Sequence, residues 1–101
     1  FEDSRVIDKL QEQFPSYADN FPLWSEQSSG MAQFAVWAAL TEAGLGASLQ
    51  HYNPLIDEKT RETFNISSDW KLKAQMPFGS IEDLPSAKDF MPHSERFIIF
   101  E

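Results

Sequence analysis

The sequence has 101 residues, a length that suffices for one domain and is too short for two. Of these residues 42% are apolar and 14% aromatic, enough to form a core. Its 16 acidic and 8 basic residues give a formal net charge of -8 and form no basic cluster, which argues against binding to nucleic acid through phosphates. The absence of cysteine excludes disulfides, thiol nucleophiles and thiolate metal sites, and the 2 histidines are too isolated to predict a metal site.

The first predicted element is a short helix that begins at Asp3 or Ser4 and ends near Phe14. Its apolar residues recur at helical spacing, at Val6, Ile7, Leu10 and Phe14. Pro15 ends the helix because proline removes a backbone donor and clashes with the preceding turn. We predict a polar and aromatic loop over Ser16–Phe21.

The chain is organised around a long predicted helix over Pro22–Ala43, about 33 Å at 1.5 Å per residue. Its second half, Met31–Ala43, is apolar in every direction around the axis, with polar exceptions only at Gln33, Thr41 and Glu42. Such a helix is predicted to be buried, and part of it should contact another chain or another part of its own. The apolar stretch is too short to span a bilayer, which needs roughly 20 residues, so we expect a soluble protein, with the cytoplasm as the default compartment.

Glycines and then a polar cluster follow this helix. Gly44 and Gly46 are predicted to end it, and a short strand over Ala47–Gln50 should come next. Hydrogen-bonding and aromatic side chains then occupy four consecutive positions, Gln50, His51, Tyr52 and Asn53. These residues, called the 50–53 loop below, could direct polar groups at a planar ligand lying on the core. The alternative is an ordinary loop without a ligand.

The next predicted elements are a short polar helix, DEKTRETF, which begins at Asp57, and a loop over Asn65–Asp69. A strand is predicted over Trp70–Phe78, because apolar and polar residues alternate there. Its buried face would carry Trp70, Leu72, Ala74 and Met76, and its outer face Lys71, Lys73 and Gln75. Pro77 and Gly79 are predicted to end it.

The C-terminal part is predicted to be an extended surface arm over Ser80–Glu95, followed by a strand-like apolar run over Arg96–Phe100. At the other end, the chain opens without methionine, and Phe1 looks like the last apolar residue of a strand. We therefore expect a fragment of a longer protein.

Three segments resemble the C-terminal half of a flavin-dependent nitroreductase, in the subgroup of the fatty-acid-repression and copper-inducible proteins. These segments are EAGLGASLQHYNPL (Glu42–Leu55), DWKLKAQMPFG (Asp69–Gly79) and HSERFIIF (His93–Phe100). Within them, SLQHYNP together with AQMPFGS is specific to the subgroup, and the resemblance covers essentially residues 1–101 as one domain.

The resemblance implies an α+β nitroreductase-like fold around a central sheet. It also implies a homodimer formed through the Met31–Ala43 helix and the C-terminal arm, with FMN in a groove between the subunits. The implied activity is electron transfer from NADH or NADPH through the flavin to nitroaromatic, quinone or similar acceptors.

The resemblance also implies roles for particular residues. Gln50, His51, Tyr52 and Asn53 fall where the family's loop approaches the isoalloxazine ring, and Arg96 falls where a basic residue meets the FMN phosphate. The alternatives are a half-exposed loop histidine at His51 and a surface salt bridge at Arg96, for example with Glu95. No catalytic residue is assigned. The family's main phosphate-binding element, an N-terminal motif rich in arginine and serine, has no counterpart in this sequence.

Two other functions compete with this one. One is a non-catalytic interaction module, an acidic α+β domain whose apolar helix is a protein–protein interface. The other is a hydrolase with His51 as its base. The hydrolase lacks a partnered nucleophile, because strand alternation places Ser48 and His51 on opposite faces.

Overall fold

The computed structural model describes residues 1–100, which form a mixture of helices and short strands. The helices are α1 (Ser4–Gln13), a 3-10 helix (Pro15–Asn20), α2 (Phe21–Glu42), α3 (Asp57–Phe64) and α4 (His93–Arg96). The strands are β1 (Glu2–Asp3), β2 (Gly46–Ala47), β3 (Trp70–Lys71) and β4 (Phe78–Gly79). No helix within these residues combines the length and apolarity needed to cross a membrane.

Helix α1 is confirmed, with Asp3 as its N-terminal cap. The Asp3 carboxylate accepts a hydrogen bond from the Arg5 backbone N–H at 3.1 Å and two more from the Arg5 guanidinium. It also accepts one from the Trp70 indole N–H at 3.1 Å. The Arg5 hydrogen bonds are the main reason why the pKa of Asp3 falls from 3.8 to about 2.

This cap makes stability depend on pH. Because the pKa of Asp3 is lower in the folded than in the unfolded chain, its ionised form stabilises the fold fully above about pH 3.8. That contribution is lost as the pH falls through about 2. We therefore expect Asp3→Asn, which keeps a capping oxygen and removes the charge, to lower the urea midpoint at pH 7 and to match the wild type near pH 2. A difference in urea midpoint that is the same at both pH values would contradict this role of the charge.

The prediction of a loop over Ser16–Phe21 is wrong, since a 3-10 helix covers Pro15–Asn20. Aromatic packing accounts for the ordered turn. The rings of Phe14 and Phe21 lie 6.3 Å apart, and those of Tyr17 and Trp24 lie 6.1 Å apart. The turn therefore docks α1 against the start of α2 through aromatic pairs.

Helix α2 has the predicted length of 22 residues and is shifted by one position from Pro22–Ala43. Its last residue is Glu42, and Gly44, two positions later, terminates it. The φ of Gly44 is +77°, in the left-handed region that favours glycine. The Gly44 N–H donates to the Thr41 carbonyl at 3.0 Å, and the Leu45 N–H donates to the Leu40 carbonyl at 2.9 Å. This pair of bonds is the Schellman motif, so the predicted glycine stop is confirmed at Gly44.

Two small antiparallel sheets connect distant parts of the chain. In one, β1 pairs with β3, with Glu2 opposite Lys71. In the other, β2 pairs with β4, with Gly46 opposite Gly79. Two sequence predictions need correction here: the strand predicted over Ala47–Gln50 lies at Gly46–Ala47, and Gly79 belongs to a strand instead of ending one.

The single strand predicted over Trp70–Phe78 is also wrong, because β3 and β4 occupy only its ends. Burial does not alternate between them: all residues from Leu72 to Met76 are half-buried, including the two predicted to face outward, Lys73 and Gln75. Both polar side chains are covered because each forms hydrogen bonds with another part of the chain.

The terminal apolar run does not form the predicted strand within the described residues. The short helix α4 includes Arg96, and Phe97–Phe100 continues without a paired neighbour. A strand needs a partner for its backbone hydrogen bonds, and no segment of residues 1–100 supplies one. The arm over Ser80–Glu95 is largely without regular structure and exposed, as predicted, apart from the start of α4.

The described residues contain no fully buried apolar side chain. The radius of gyration is 18.1 Å, whereas a compact chain of 100 residues has about 13 Å. The predicted burial of the Met31–Ala43 segment is therefore wrong for the single chain, where Phe34 is 74% exposed. An exposed apolar surface of this extent is typical of an interaction site.

Candidate functional site

The 50–53 loop is held to the segment that connects β3 and β4. Gln50 and Gln75 form an isolated antiparallel bridge. The Gln50 N–H donates to the Gln75 carbonyl at 2.8 Å, and the Gln75 N–H donates to the Gln50 carbonyl at 2.9 Å. The start of the loop is thus fixed by backbone groups alone.

The side chain of Gln75 extends this contact along the loop. Its Oε1 accepts a hydrogen bond from the Tyr52 backbone N–H at 2.9 Å, and its Nε2 donates to Asn53 Oδ1 at 3.0 Å. One glutamine therefore contacts three of the four predicted site residues.

Asn53 is occupied by contacts within the chain. Its Nδ2 donates to Asp57 Oδ1 and to the Leu72 carbonyl, each at 2.8 Å, while Oδ1 accepts from Gln75. Both donors of the amide are used in this way. The Asn53 side chain consequently connects the loop, the start of α3 and the 72–75 segment, and has no donor left for a ligand.

The other three side chains of the loop are less constrained. His51 is exposed, and its ring makes no hydrogen bond or ion pair with any residue in 1–100. Tyr52 is exposed through its side chain, and the half-buried Gln50 donates from Nε2 to Ser48 Oγ at 2.6 Å. The ring of His51, the phenol of Tyr52 and the Oε1 of Gln50 are therefore the side-chain polar groups of the loop that have no hydrogen-bond partner within residues 1–100.

A cleft of about 260 Å³ lies beside this loop. It runs between α2 and the 73–76 segment and reaches Leu49, immediately before the loop. Its lining is mainly apolar, from residues such as Ala32, Val36 and Met76, and the polar residues Gln33, Lys73 and Gln75 also border it. An apolar cleft with a few polar groups is typical of a small-molecule site.

A charged cluster lies at the opposite end of the 73–76 segment. Lys73 Nζ is 2.9 Å from Glu2 Oε2 and also forms an ion pair with Glu26. Ser25 Oγ donates a hydrogen bond to the other oxygen of the Glu2 carboxylate. Burial favours the neutral form of Glu2, but the hydrogen bonds from Ser25 and Lys73 outweigh this effect and lower the pKa of Glu2. The hydrogen bond to Glu26 raises the pKa of Lys73.

Arg96 belongs to α4 in the C-terminal arm. Its guanidinium carbon lies 5.6 Å from the centre of the Phe97 ring, a cation–π contact. The salt bridge considered with Glu95 does not form among the described residues. Among residues 1–100, no hydrogen bond or ion pair brings Arg96 together with the 50–53 loop.

Gln75 and Lys73 were not predicted as site residues, because period-two alternation places both on a solvent face. The only available signal was the motif AQMPFGS, in which a polar residue sits between small and apolar neighbours. The partners of Gln75 are 22 to 25 positions away and those of Lys73 are 47 to 71 positions away, so local periodicity carried no information about them.

Comparison with known proteins gives consistent matches. The model of the nitroreductase family matches residues 6–80. Two proteins of Saccharomyces cerevisiae, HBN1 and the nitroreductase FRM2, are 40% and 36% identical over 91 residues, which cover 90% of this chain and 46% of each relative.

Solved structures match over the whole length of this chain. The nitroreductase CinD from Lactococcus lactis, in complex with nicotinic acid or with 4-nitrophenol, is 55% identical and superposes with a TM-score of 0.95. These matches cover 100% of this chain and 53% and 54% of the solved chains. The expected α+β nitroreductase-like fold is confirmed, and the chain spans about half the length of the relatives it matches.

Proposed function

The chain belongs to the nitroreductase family, and from this premise we propose that it is the C-terminal half of an FMN-dependent oxidoreductase. The proposed reaction carries electrons from NADH or NADPH through the flavin to a nitroaromatic, quinone or similar acceptor. The CinD complexes support this substrate class, because 4-nitrophenol and chloramphenicol are nitroaromatic compounds. Nicotinic acid shares the pyridine ring of the nicotinamide donor.

The observation that carries the proposal is the position of the 50–53 loop at the end of an apolar cleft. The loop is fixed by Gln75, yet the ring of His51 is exposed and makes no hydrogen bond with residues 1–100. A rigid backbone that leaves donors and acceptors available beside an apolar cleft suits a flat ring with a polar edge. We propose that Gln50, His51, Tyr52 and Asn53 hold the isoalloxazine edge, with Asn53 contributing only through its backbone.

The described residues fit the ring of FMN better than its phosphate. A phosphate needs several convergent donors, and Arg5, Lys59 and Lys73 are already paired with carboxylates. Arg96 is proposed as one phosphate ligand, and the remaining ligands would come from the part of the protein that resembles the family's N-terminal half.

The bound flavin would supply hydride chemistry, so the contribution of this chain is binding and orientation. The apolar wall formed by Ala32, Val36 and Met76 would exclude water from one side of the ring. The His51 ring would donate or accept a hydrogen bond at the polar edge of the flavin, and the fixed loop backbone would set its height over the cleft.

We further propose a homodimer formed through the Met31–Ala43 segment of α2 and the C-terminal arm. The exposed apolar face of α2 and the unpaired run Phe97–Phe100 support this proposal. From the motifs SLQHYNP and AQMPFGS we propose the fatty-acid-repression and copper-inducible subgroup, and we expect a cytoplasmic enzyme.

Substitution of the loop tests this function. In the full-length protein, Gln50→Ala and His51→Ala should each weaken FMN retention or slow flavin reduction. A lost hydrogen bond corresponds to a factor of roughly 2–13 in affinity. The fold should survive, because loop side chains contribute little to the core. Flavin affinity is measured by fluorescence quenching and reduction by stopped-flow absorbance.

Lys9→Ala, on the exposed surface of α1, is a suitable control. Wild-type affinity and reduction rates in both loop variants would exclude the loop from the flavin site. A full-length protein without visible flavin absorbance, which does not bind added FMN, would refute the flavin function and favour the interaction module.

A further inference from the structure

We propose that Gln75 is the positioning residue of the 50–53 loop, whose carboxamide fixes the loop backbone in the conformation that binds the flavin. This inference rests on the proposed function. Gln75 itself is assigned no contact with the flavin or the substrate, so its effect is exerted through Gln50, Tyr52 and Asn53.

The first argument is the match between Gln75 and its partners. Its carboxamide accepts one hydrogen bond, from the Tyr52 N–H, and donates one, to Asn53 Oδ1. No other side chain of similar shape offers an acceptor and a donor together: glutamate lacks the donor, and methionine lacks both. The contact with Asn53 is partly buried, which increases the penalty for leaving Asn53 Oδ1 without a donor.

The second argument is that Gln75 lies on an anchored segment. Lys73, two residues earlier, is held by Glu2 of β1 and Glu26 of α2. The Leu72 carbonyl accepts a hydrogen bond from Asn53. The position of the loop is therefore fixed relative to β1 and α2. Helix α2 also forms one wall of the cleft.

The third argument concerns His51, which lies between the two residues whose backbones bind Gln75. Gln50 and Tyr52 are both bound to Gln75, so the backbone of His51 is fixed on either side. The His51 ring itself forms no hydrogen bond with residues 1–100. Gln75 thus orders a loop without occupying the groups that a ligand would use, which lowers the conformational cost of binding.

The test compares Gln75→Met with Gln75→Glu in the flavin-loaded full-length protein. Both variants keep the backbone bridge to Gln50. Methionine removes both side-chain hydrogen bonds at nearly constant volume, whereas glutamate keeps the acceptor for the Tyr52 N–H. Gln11→Met is the matched control, because it removes the hydrogen bond that half-buried Gln11 of α1 donates to the Ala18 carbonyl in the 3-10 helix.

We measure hydrogen exchange of the Tyr52 amide, FMN affinity and the position of the visible flavin band. For Gln75→Met we expect faster exchange at Tyr52 and, from two lost neutral hydrogen bonds, an FMN Kd raised by about tenfold. The flavin band should shift as well. Gln75→Glu should retain the protection of Tyr52 and show a smaller loss of affinity. The control should leave all three measurements at wild-type values.

Two outcomes would overturn the positioning role of Gln75 without affecting the proposed function. One is an unchanged Tyr52 exchange rate in Gln75→Met. The other is a faster exchange rate with wild-type FMN affinity and an unshifted flavin band. If the wild-type protein binds no FMN, the proposed function fails and the positioning role fails with it.

Discussion

Glutamate in place of Phe34 or Trp37 is expected to separate the assembly into monomers or to unfold it. Phe34 is 74% exposed in the single chain, so its replacement removes little packing within residues 1–100. If α2 contacts a second copy, as proposed, the new carboxylate would be buried without a partner. A penalty of at least about 3 kcal/mol is then expected, which weakens association more than roughly 100-fold.

Sedimentation velocity at several protein concentrations measures this effect. Thr63→Glu, which adds the same charge to the exposed polar surface of α3, is the control and should leave the assembly intact. Circular dichroism separates dissociation from unfolding. A folded dimer in both the Phe34 and Trp37 variants would mean that this face of α2 is exposed to solvent in the assembly, and the proposed interface would be wrong.

The second large effect concerns the chain on its own. We expect the isolated 101 residues to bind FMN weakly or not at all and to show no reductase activity. Three of the 8 basic residues, Arg5, Lys59 and Lys73, are paired with carboxylates, and Arg96 alone is proposed to meet the phosphate. Two missing charge-assisted hydrogen bonds, each worth about 1.5–3 kcal/mol, would weaken binding at least about a hundredfold.

Titration of FMN into the isolated chain, followed by quenching of flavin fluorescence, measures this affinity. The same segment joined to the remainder of the protein should be yellow and active. Arg96→Lys in the joined protein tests the phosphate contact, because lysine keeps the charge and loses the bidentate geometry. Tight stoichiometric binding by the 101 residues alone would refute the argument for phosphate ligands elsewhere.

Local chemistry alone located α1, α2 and α3. The capping carboxylate of Asp3 fixed the start of α1, and Pro15 fixed its end. The length of α2 and its stop at Gly44 followed from unbroken apolarity and from the tolerance of glycine for positive φ. The polar helix α3 was predicted over Asp57–Phe64 and lies at those residues. Motifs in the sequence also predicted the nitroreductase family, which the comparisons confirm.

The strands were predicted less well because pairing depends on residues far apart in the sequence. Alternation between Trp70 and Phe78 is typical of one continuous strand, but β3 pairs with β1, and β4 pairs with β2. The chain between them turns its polar side chains inward to Glu2 and Asn53. The terminal run has a strand-like composition but no partner within residues 1–100.

The sequence by itself therefore determined the family, the helices α1, α2 and α3, and the loop proposed to meet the flavin, since each depends on residue types at short spacing. Only the tertiary structure decided that Gln75 holds this loop and that Asn53 is occupied within the chain, because these contacts join residues 22 or 23 positions apart. It also decided that the apolar face of α2 stays exposed in one chain. Burial is a property of the surfaces that meet, and a helix's own sequence does not specify what covers it.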